Sequence, residues 1–164
     1  MAASLSSSTD STNSSASKIT LPPLSLYIHV PWCVRKCPYC DFNSHEFKGK
    51  SADEHIPETE YVQALLDDLE ADLSYVQGRK IQTIFIGGGT PSLLSVAAFE
   101  NLLTGLQKKV TFVNNIEITM EANPGTFEAE KFAGYRKLGI NRLSIGVQSF
   151  ADHQLKHLGR IHDG

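Results

Sequence analysis

The sequence has no cysteine outside residues 33–40 and no long apolar run, and each absence narrows the class of protein. Its three cysteines, Cys33, Cys37 and Cys40, cannot pair off as disulfides, which favours metal or redox chemistry in a reducing compartment. No stretch approaches the ~20 apolar residues that a membrane-spanning helix needs. The net charge is −3 and the lysines and arginines are scattered, so no basic patch supports nucleic-acid binding.

Residues 1–18 are rich in serine and contain a single acid, Asp10, and a single base, Lys18. A segment of this composition buries too little apolar area to fold, so we predict a disordered tail over 1–20 and one folded unit over 21–164. A plastid transit peptide is also serine-rich, but it usually carries arginine, and none precedes Arg35. We therefore expect a cytoplasmic protein, with organelle targeting as the alternative.

Alternating or continuous apolar residues predict β-strands over 24–30, 81–86, 116–121 and 141–149. By the two-residue period of a strand, Tyr27, Glu121 and Gln148 belong to the polar faces of their strands. Residues 43–58 are interpreted as a loop, and Phe112 with Val113 as a link before the third strand.

Apolar residues at three- and four-residue steps predict a helix over 60–76, and Gly78 suits the position after its end. A second helix is expected to have Thr90 as its cap and Pro91 as its first residue, and to reach Lys108. Thr126 is the predicted cap of a third helix that Gly139 stops. A fourth helix is expected to begin at Asp152 and to be cut off by the chain end.

Strands and helices alternate with short connections, a pattern that predicts parallel strands joined by right-handed crossovers. The first, third and fourth strands each have one face of small or polar residues, which cannot form a dry core. We infer an α/β fold, an open or partial barrel whose lumen holds a polar ligand.

The cysteines follow the first strand directly, so they are expected at its carboxyl end, where α/β folds keep their chemistry. A structural zinc ion needs four ligands, and His29 or His45 would have to complete the three thiols. An iron–sulfur cubane bound by only three thiolates leaves one iron open to an exogenous group. The spacing C-x3-C-x2-C, with an aromatic residue before the last cysteine, favours the cluster over zinc.

This motif resembles that of the radical S-adenosylmethionine (SAM) superfamily. The segments YIHVPWCVRKCPYCDFNSH, IGGGTPSLL, EANPG and GVQSF…LGRIH are similar to the oxygen-independent coproporphyrinogen III oxidase group, over Leu21 to Gly164. The oxidases of that group carry another cysteine two residues after the motif, whereas this chain has Asp41-Phe42. The resemblance is therefore to the heme-chaperone branch and argues against oxidase activity. Family members are much longer, so we expect an N-terminal fragment.

The resemblance implies a partial (βα)6 barrel related to the TIM barrel, of which this chain supplies about the first half. It also implies a [4Fe–4S] cluster bound by Cys33, Cys37 and Cys40, with SAM chelated to the open iron. The resemblance further implies that an electron donor reduces the cluster and that SAM is then cleaved to a 5′-deoxyadenosyl radical. The implied cofactor contacts are Tyr27, Tyr39, Gly88, Gly89, Thr90, Glu121, Gln148 and Arg160.

Several of these residues also have plainer interpretations. The glycine run is expected to expose backbone amides to a ligand, but it suits a tight turn equally well. Glu121 could form a salt bridge with Arg142, and Tyr27 could be a core tyrosine. The resemblance implies heme or a porphyrin-type molecule as cargo, with membrane contact only through a client protein. No histidine stands out as a heme ligand by its spacing.

Overall fold

The computed structural model describes residues 20–47, 55–124 and 129–164. The strands found there are β1 (Leu24–Val30), β2 (Trp32–Cys33), β3 (His45–Glu46), β4 (Ile81–Gly88), β5 (Phe112–Ala122) and β6 (Arg142–Ile145). The α-helices are α1 (Glu58–Val76), α2 (Val96–Lys109), α3 (Ala129–Lys137) and α4 (Asp152–His157), and a 3₁₀ turn covers Pro91–Leu93. The predicted tail lies outside the described residues except for its last position.

β1, β4, β5 and β6 pair in that order, and every pair is parallel, so the predicted parallel sheet is confirmed. Ile28 pairs with Ile86 and Ile86 with Met120, and all three side chains are buried under the helices. The neighbouring row of paired residues, which includes Tyr27 and Phe85, lies on the opposite face because successive residues of a strand alternate. This second face carries the polar residues.

α1 and α2 cover the apolar face of the sheet. Phe99, Leu102 and Leu106 of α2 are almost fully buried, and each contributes about 1.5–3 kcal/mol to folding. Gly105 lets the helices approach, since a Cβ there would lie 2.5 Å from a methyl group of Leu66. The Ser95 backbone and hydroxyl both donate to the Glu58 carboxylate, at 2.6 and 2.5 Å, which ties the start of α2 to the start of α1.

The predicted boundaries of the second helix and the third strand are wrong. α2 begins at Val96, after the 3₁₀ turn, and its cap is Ser95, whose Oγ accepts from the Ala98 amide at 3.1 Å. The side chain of Thr90 makes no cap hydrogen bond. Phe112 begins β5 instead of linking to it, because it pairs with Ile81 and packs against the core.

The fourth strand and the fourth helix are both shorter than predicted. β6 ends at Ile145, and Gln148 has a φ of 67°, a left-handed backbone conformation that a strand cannot contain. Gln148 is therefore not a strand residue. α4 ends at His157, before the chain does, and Gly159 with a φ of 69° reverses the backbone there.

Two short strands lie in segments that carried no strand prediction. Trp32 pairs with His45, and Cys33 with Glu46, within the segment that contains the cysteines. β4 also runs two residues further than predicted, to Gly88. Gly139, with a φ of 101°, follows α3 as expected, whereas Thr126 lies outside the described residues.

In the described ranges no helix is long and apolar enough to cross a membrane.

Candidate metal and cofactor site

Residues 31–46, the cysteine loop, are held in shape by their own backbone. The pairing of β2 with β3 closes the base of the loop, and His45 donates its amide to the Pro31 carbonyl at 2.7 Å. Farther out, the Cys40 amide donates to the Cys37 carbonyl at 3.1 Å. The Lys36 ammonium donates to the carbonyls of Ser44 and Phe42, at 3.0 and 3.3 Å. The segment between the cysteines is thus a folded loop.

All three thiols are free and line one cavity of about 310 Å³ at the carboxyl ends of the strands. Cys33 is buried, and Cys37 and Cys40 are half-buried. Across the described ranges no three His, Cys, Asp or Glu side chains are grouped as metal ligands, so the thiols share a cavity without forming a closed ligand set. Three thiolates are nevertheless a donor set that suits an iron–sulfur cluster with one open iron.

The glycine run lies directly against the cysteine loop and the third strand of the sheet. A Cβ on Gly87 would lie 2.8 Å from Glu121 Oε2, and one on Gly88 would lie 2.8 Å from the ring of His29. A Cβ on Gly89 would lie 2.4 Å from the Trp32 carbonyl oxygen and 3.0 Å from Cys33 Sγ. The glycines are needed here because neighbouring groups occupy the space that side chains would take.

The amides of this run are already hydrogen-bonded within the protein. Gly88 donates to Glu121 Oε2 at 3.0 Å, Gly89 to the Val30 carbonyl at 2.6 Å, and Thr90 to the Trp32 carbonyl at 2.7 Å. The expectation that these amides are exposed to a ligand is therefore wrong. What the run offers to the cavity is a close approach of its backbone, since Gly88, Gly89 and Thr90 all line the wall.

Glu121 lies on the cavity wall at the end of β5 and is half-buried. Its Oε2 accepts the Gly88 amide hydrogen. Arg142 instead lies 3.6 Å from Glu117 and donates to Thr119 Oγ1 at 3.3 Å. The proposed alternative, a salt bridge from Glu121 to Arg142, is therefore wrong, and the carboxylate remains part of the cavity.

Arg160 joins the end of the described chain to the site. Its Nη2 donates to Asn123 Oδ1 at 2.7 Å and to the Gly146 carbonyl at 2.8 Å, and its Nη1 lies 3.5 Å from Cys37 Sγ. Its Nε is buried and has no hydrogen-bond partner among the residues described. Because a buried unpaired donor costs free energy, this atom fits a ligand that would accept from it.

The two predicted tyrosines occupy different positions. Tyr39 lines the cavity; burial raises its pKa, a hydrogen bond to Cys37 raises it further, and Arg160 opposes the shift. Tyr27 is 56% exposed and, of the predicted contacts, is the one outside the cavity wall. Burial raises the Tyr27 pKa first, and the charge of Glu121 raises it second. Tyr27 thus lies in the electrostatic field of the site without lining it.

The cavity therefore unites Cys33, Cys37, Cys40, Tyr39, Gly88, Gly89, Thr90, Glu121, Gln148 and Arg160. Seven further wall residues were not predicted as cofactor contacts: Arg35, Phe42, Pro91, Ala122, Asn123, Ser144 and Gly146. Most of these fall within the motifs quoted above. Their side-chain types alone did not distinguish them from ordinary loop residues.

The fold and the site define an α/β protein whose parallel sheet carries, at the carboxyl ends of its strands, a cavity lined by three thiols, a glycine run and a carboxylate. The family model described as the Radical SAM superfamily matches residues 27–164. The chain belongs to the radical SAM superfamily, as the cysteine motif predicted.

The chain is similar to several curated proteins named "Heme chaperone HemW". It is 60% identical to that of Escherichia coli (strain K12), over 88% of this chain and 37% of that protein. It is 58% identical to that of Haemophilus influenzae, over 87% of this chain and 37% of that protein. The chain thus spans 37% of the length of these relatives.

Among solved structures the chain resembles coproporphyrinogen III oxidase (HemN) from Escherichia coli, described as a radical SAM enzyme. The TM-score is 0.73 at 31% identity, and the match covers 86% of this chain and 31% of that one. The predicted α/β fold, part of a barrel of the radical SAM type, is confirmed by this match. The predicted resemblance to the coproporphyrinogen oxidase-like group is confirmed as well.

Proposed function

We propose that this chain binds a [4Fe–4S] cluster through Cys33, Cys37 and Cys40 and binds SAM in the adjoining cavity. The observation that carries the proposal is the single cavity that gathers three free thiols with side chains from as far along the chain as Arg160. Membership of the radical SAM superfamily supports both cofactors. The proposed SAM contacts are Tyr39, Gly88, Gly89, Thr90, Glu121, Gln148 and Arg160, and Tyr27 remains a predicted contact.

When bound and reduced, the cluster would supply an electron for cleavage of the sulfonium C–S bond of SAM. The chain's own residues bind, orient and shield the cofactors. Arg160 offers a buried donor and a positive charge to an anionic group such as a carboxylate. The glycine run lets a ligand approach the backbone, while Tyr39 and Phe42 line the wall with apolar surface.

Within a longer protein we propose a role in heme trafficking. The two relatives at 60% and 58% identity are both named heme chaperones, which supports heme or a porphyrin-type molecule as the cargo. The proposal also includes a cytoplasmic location and a one-electron donor as partner. Contact with a membrane would occur only through a client protein. A titration with hemin followed by Soret absorbance tests the cargo; absence of a saturable complex in both this chain and a chain of the relatives' length would contradict it.

A second candidate function is the oxidative decarboxylation of coproporphyrinogen. The structural match to coproporphyrinogen III oxidase, at a TM-score of 0.73, favours it. Phe42 argues against it, because the oxidases that the chain resembles carry a cysteine where Phe42 lines the cavity. Incubation with coproporphyrinogen, SAM and a reductant distinguishes the two functions, since vinyl products would establish the oxidase and their absence alongside heme binding would favour the chaperone.

The cofactor proposal is tested by anaerobic reconstitution with iron and sulfide. We expect about four iron atoms per chain, as a [4Fe–4S] cluster requires, and a paramagnetic signal after reduction that changes when SAM is added. Replacing any one of Cys33, Cys37 and Cys40 by serine should abolish the signal. Stoichiometric zinc with no reduced-cluster signal would establish instead the zinc module that the sequence left as an alternative.

A further inference from the structure

His29 is a residue of β1 whose side chain contacts the cysteine loop, and both of its ring nitrogens have hydrogen-bond partners. Nε2 lies 2.8 Å from the carbonyl oxygen of Asn43, and Nδ1 lies 2.9 Å from the hydroxyl oxygen of Tyr27. Asn43 belongs to the cysteine loop, three residues after Cys40. The imidazole therefore links that loop to a second residue of β1.

The partners of the ring define its tautomer. A carbonyl oxygen only accepts hydrogen bonds, so Nε2 of His29 carries the proton. In the neutral ring Nδ1 is then the acceptor, and the Tyr27 hydroxyl donates to it. Neither nitrogen of His29 keeps a free lone pair, so the ring is not available to complete a zinc site or to bind a heme iron.

The position of the ring is itself constrained by the fold. A Cβ on Gly88 would lie 2.8 Å from both Cε1 and Nδ1 of His29, so the ring occupies the space above this glycine. The Tyr61 hydroxyl of α1 donates to the His29 carbonyl and anchors its backbone. Contacts from a strand, a helix and the cysteine loop thus converge on one residue that lines no part of the cavity wall.

We propose that His29 is a positioning residue: its Nε2–H holds the cysteine loop in place through Asn43, while Nδ1 orients the Tyr27 hydroxyl. The inference rests on the proposed cluster site, because the loop that His29 ties down carries the three thiols. A residue outside the first coordination sphere that fixes the ligands in this way affects metal affinity without touching the metal. His29 thereby couples the loop to the edge of the sheet.

Two substitutions separate the two hydrogen bonds. His29→Gln places an amide NH₂ near the position of Nε2 and can keep the bond to Asn43, whereas His29→Asn places its amide near Nδ1 and loses that bond. His29→Phe keeps a ring of similar size and removes both. Hydrogen exchange in the cluster-free chain measures the loop directly, at the amides of Ser44 and His45, which donate to the Phe42 and Pro31 carbonyls.

We expect exchange at these loop amides to accelerate about tenfold in His29→Asn and His29→Phe, as the loss of about 1.4 kcal/mol would produce. His29→Gln should exchange as the unchanged protein does, and the core amides of α2 should be unaffected in all three variants. After reconstitution, iron content should fall in the Asn and Phe variants and be retained in the Gln variant.

Two results would overturn the inference. Unchanged exchange in His29→Phe would mean that the bond to Asn43 does not hold the loop. Loss of iron in all three variants with fully protected loop amides would make His29 an iron ligand. A wild-type chain that takes up no iron would contradict the proposed cluster site. It would leave the role of His29 in holding the loop testable, because hydrogen exchange is compared without the cluster.

Discussion

Nη1 of Arg160 lies 3.5 Å from Sγ of Cys37, although 123 residues separate the two along the chain. The same guanidinium binds Asn123 and the Gly146 carbonyl, so its direction is fixed from three sides. A permanent positive charge is thereby held beside a thiol of the cysteine loop. This contact joins the last described segment of the chain to the cysteine loop, and residues of both line one cavity.

The Arg160 contact predicts a loss of SAM affinity when the planar guanidinium is replaced. Arg160→Lys keeps the charge but cannot reproduce the fork that binds Asn123 and the Gly146 carbonyl together. We expect SAM binding to the reconstituted protein to weaken roughly tenfold, with iron content retained. Calorimetric titration with SAM measures the change.

Arg142→Lys is the matched control for this prediction. Arg142 is the first residue of β6, contacts Glu117 and Thr119, and lines no part of the cavity. The variant Arg142→Lys should therefore leave SAM affinity unchanged. Equal weakening in both variants would show that general charge, rather than the contacts of Arg160, determines the affinity.

Replacing Glu121 by glutamine should lower the pKa of Tyr27. The negative charge of Glu121 disfavours the phenolate of Tyr27, so it is the second cause, after burial, of the raised pKa. Glutamine keeps an oxygen that can accept from the Gly88 amide and removes the charge. Ultraviolet titration, with Tyr27→Phe used to identify the tyrosine, should show its ionisation at lower pH in Glu121→Gln; no shift would contradict the electrostatic link.

Gly88→Ala should destabilise the fold by roughly 2–5 kcal/mol. The φ of Gly88 is 110°, and the added Cβ would lie 2.8 Å from the His29 ring and from the Val30 carbonyl oxygen. Strain and overpacking therefore add at this position. Urea unfolding followed by circular dichroism measures the change in the free energy of unfolding.

Gly78→Ala provides the comparison, because Gly78 has a φ of 70° but no atom within 4 Å of its added Cβ. Only the cost of the left-handed backbone remains, about 1–2 kcal/mol. Should both variants lose the same free energy, the contact with the His29 ring would contribute nothing to the requirement for glycine at residue 88.

The raised pKa of Tyr61 predicts that the folded protein loses stability at alkaline pH. Burial, followed by the neighbouring Tyr27, raises the pKa of Tyr61 from 10.0 to about 12. Between these values the unfolded chain loses the Tyr61 proton while the folded chain keeps it, so the stability contribution present below pH 10.0 is lost as the pH rises toward about 12.

Tyr61→Phe should flatten this part of the stability curve, because the ionisable hydroxyl is gone. It should also lower stability at neutral pH, since the hydroxyl donates to the His29 carbonyl. Thermal unfolding measured at a series of pH values tests both effects. An unchanged alkaline slope in Tyr61→Phe would assign the loss to another group.

Most of the architecture follows from local pattern. The alternation that predicts β1 and the apolar run that predicts β4 are both confirmed, because a strand that is buried on one or both faces requires such residues. The limits of β5 and β6 were less predictable. Phe112 belongs to the sheet because it pairs with Ile81, which lies 31 residues earlier. Gln148 does not continue β6, because its φ of 67° is incompatible with a strand.

The sequence by itself determined the superfamily, because the spacing of Cys33, Cys37 and Cys40 is a local feature that can be recognised without knowing the fold. Tertiary structure alone decided how the site is assembled. Glu121 binds the Gly88 amide rather than Arg142, and Arg160 reaches Cys37, because strand register and helix packing select partners by distance in space. The glycine run was likewise readable as a motif, but only the packed neighbours, His29 and Trp32 among them, explain why a side chain cannot fit there.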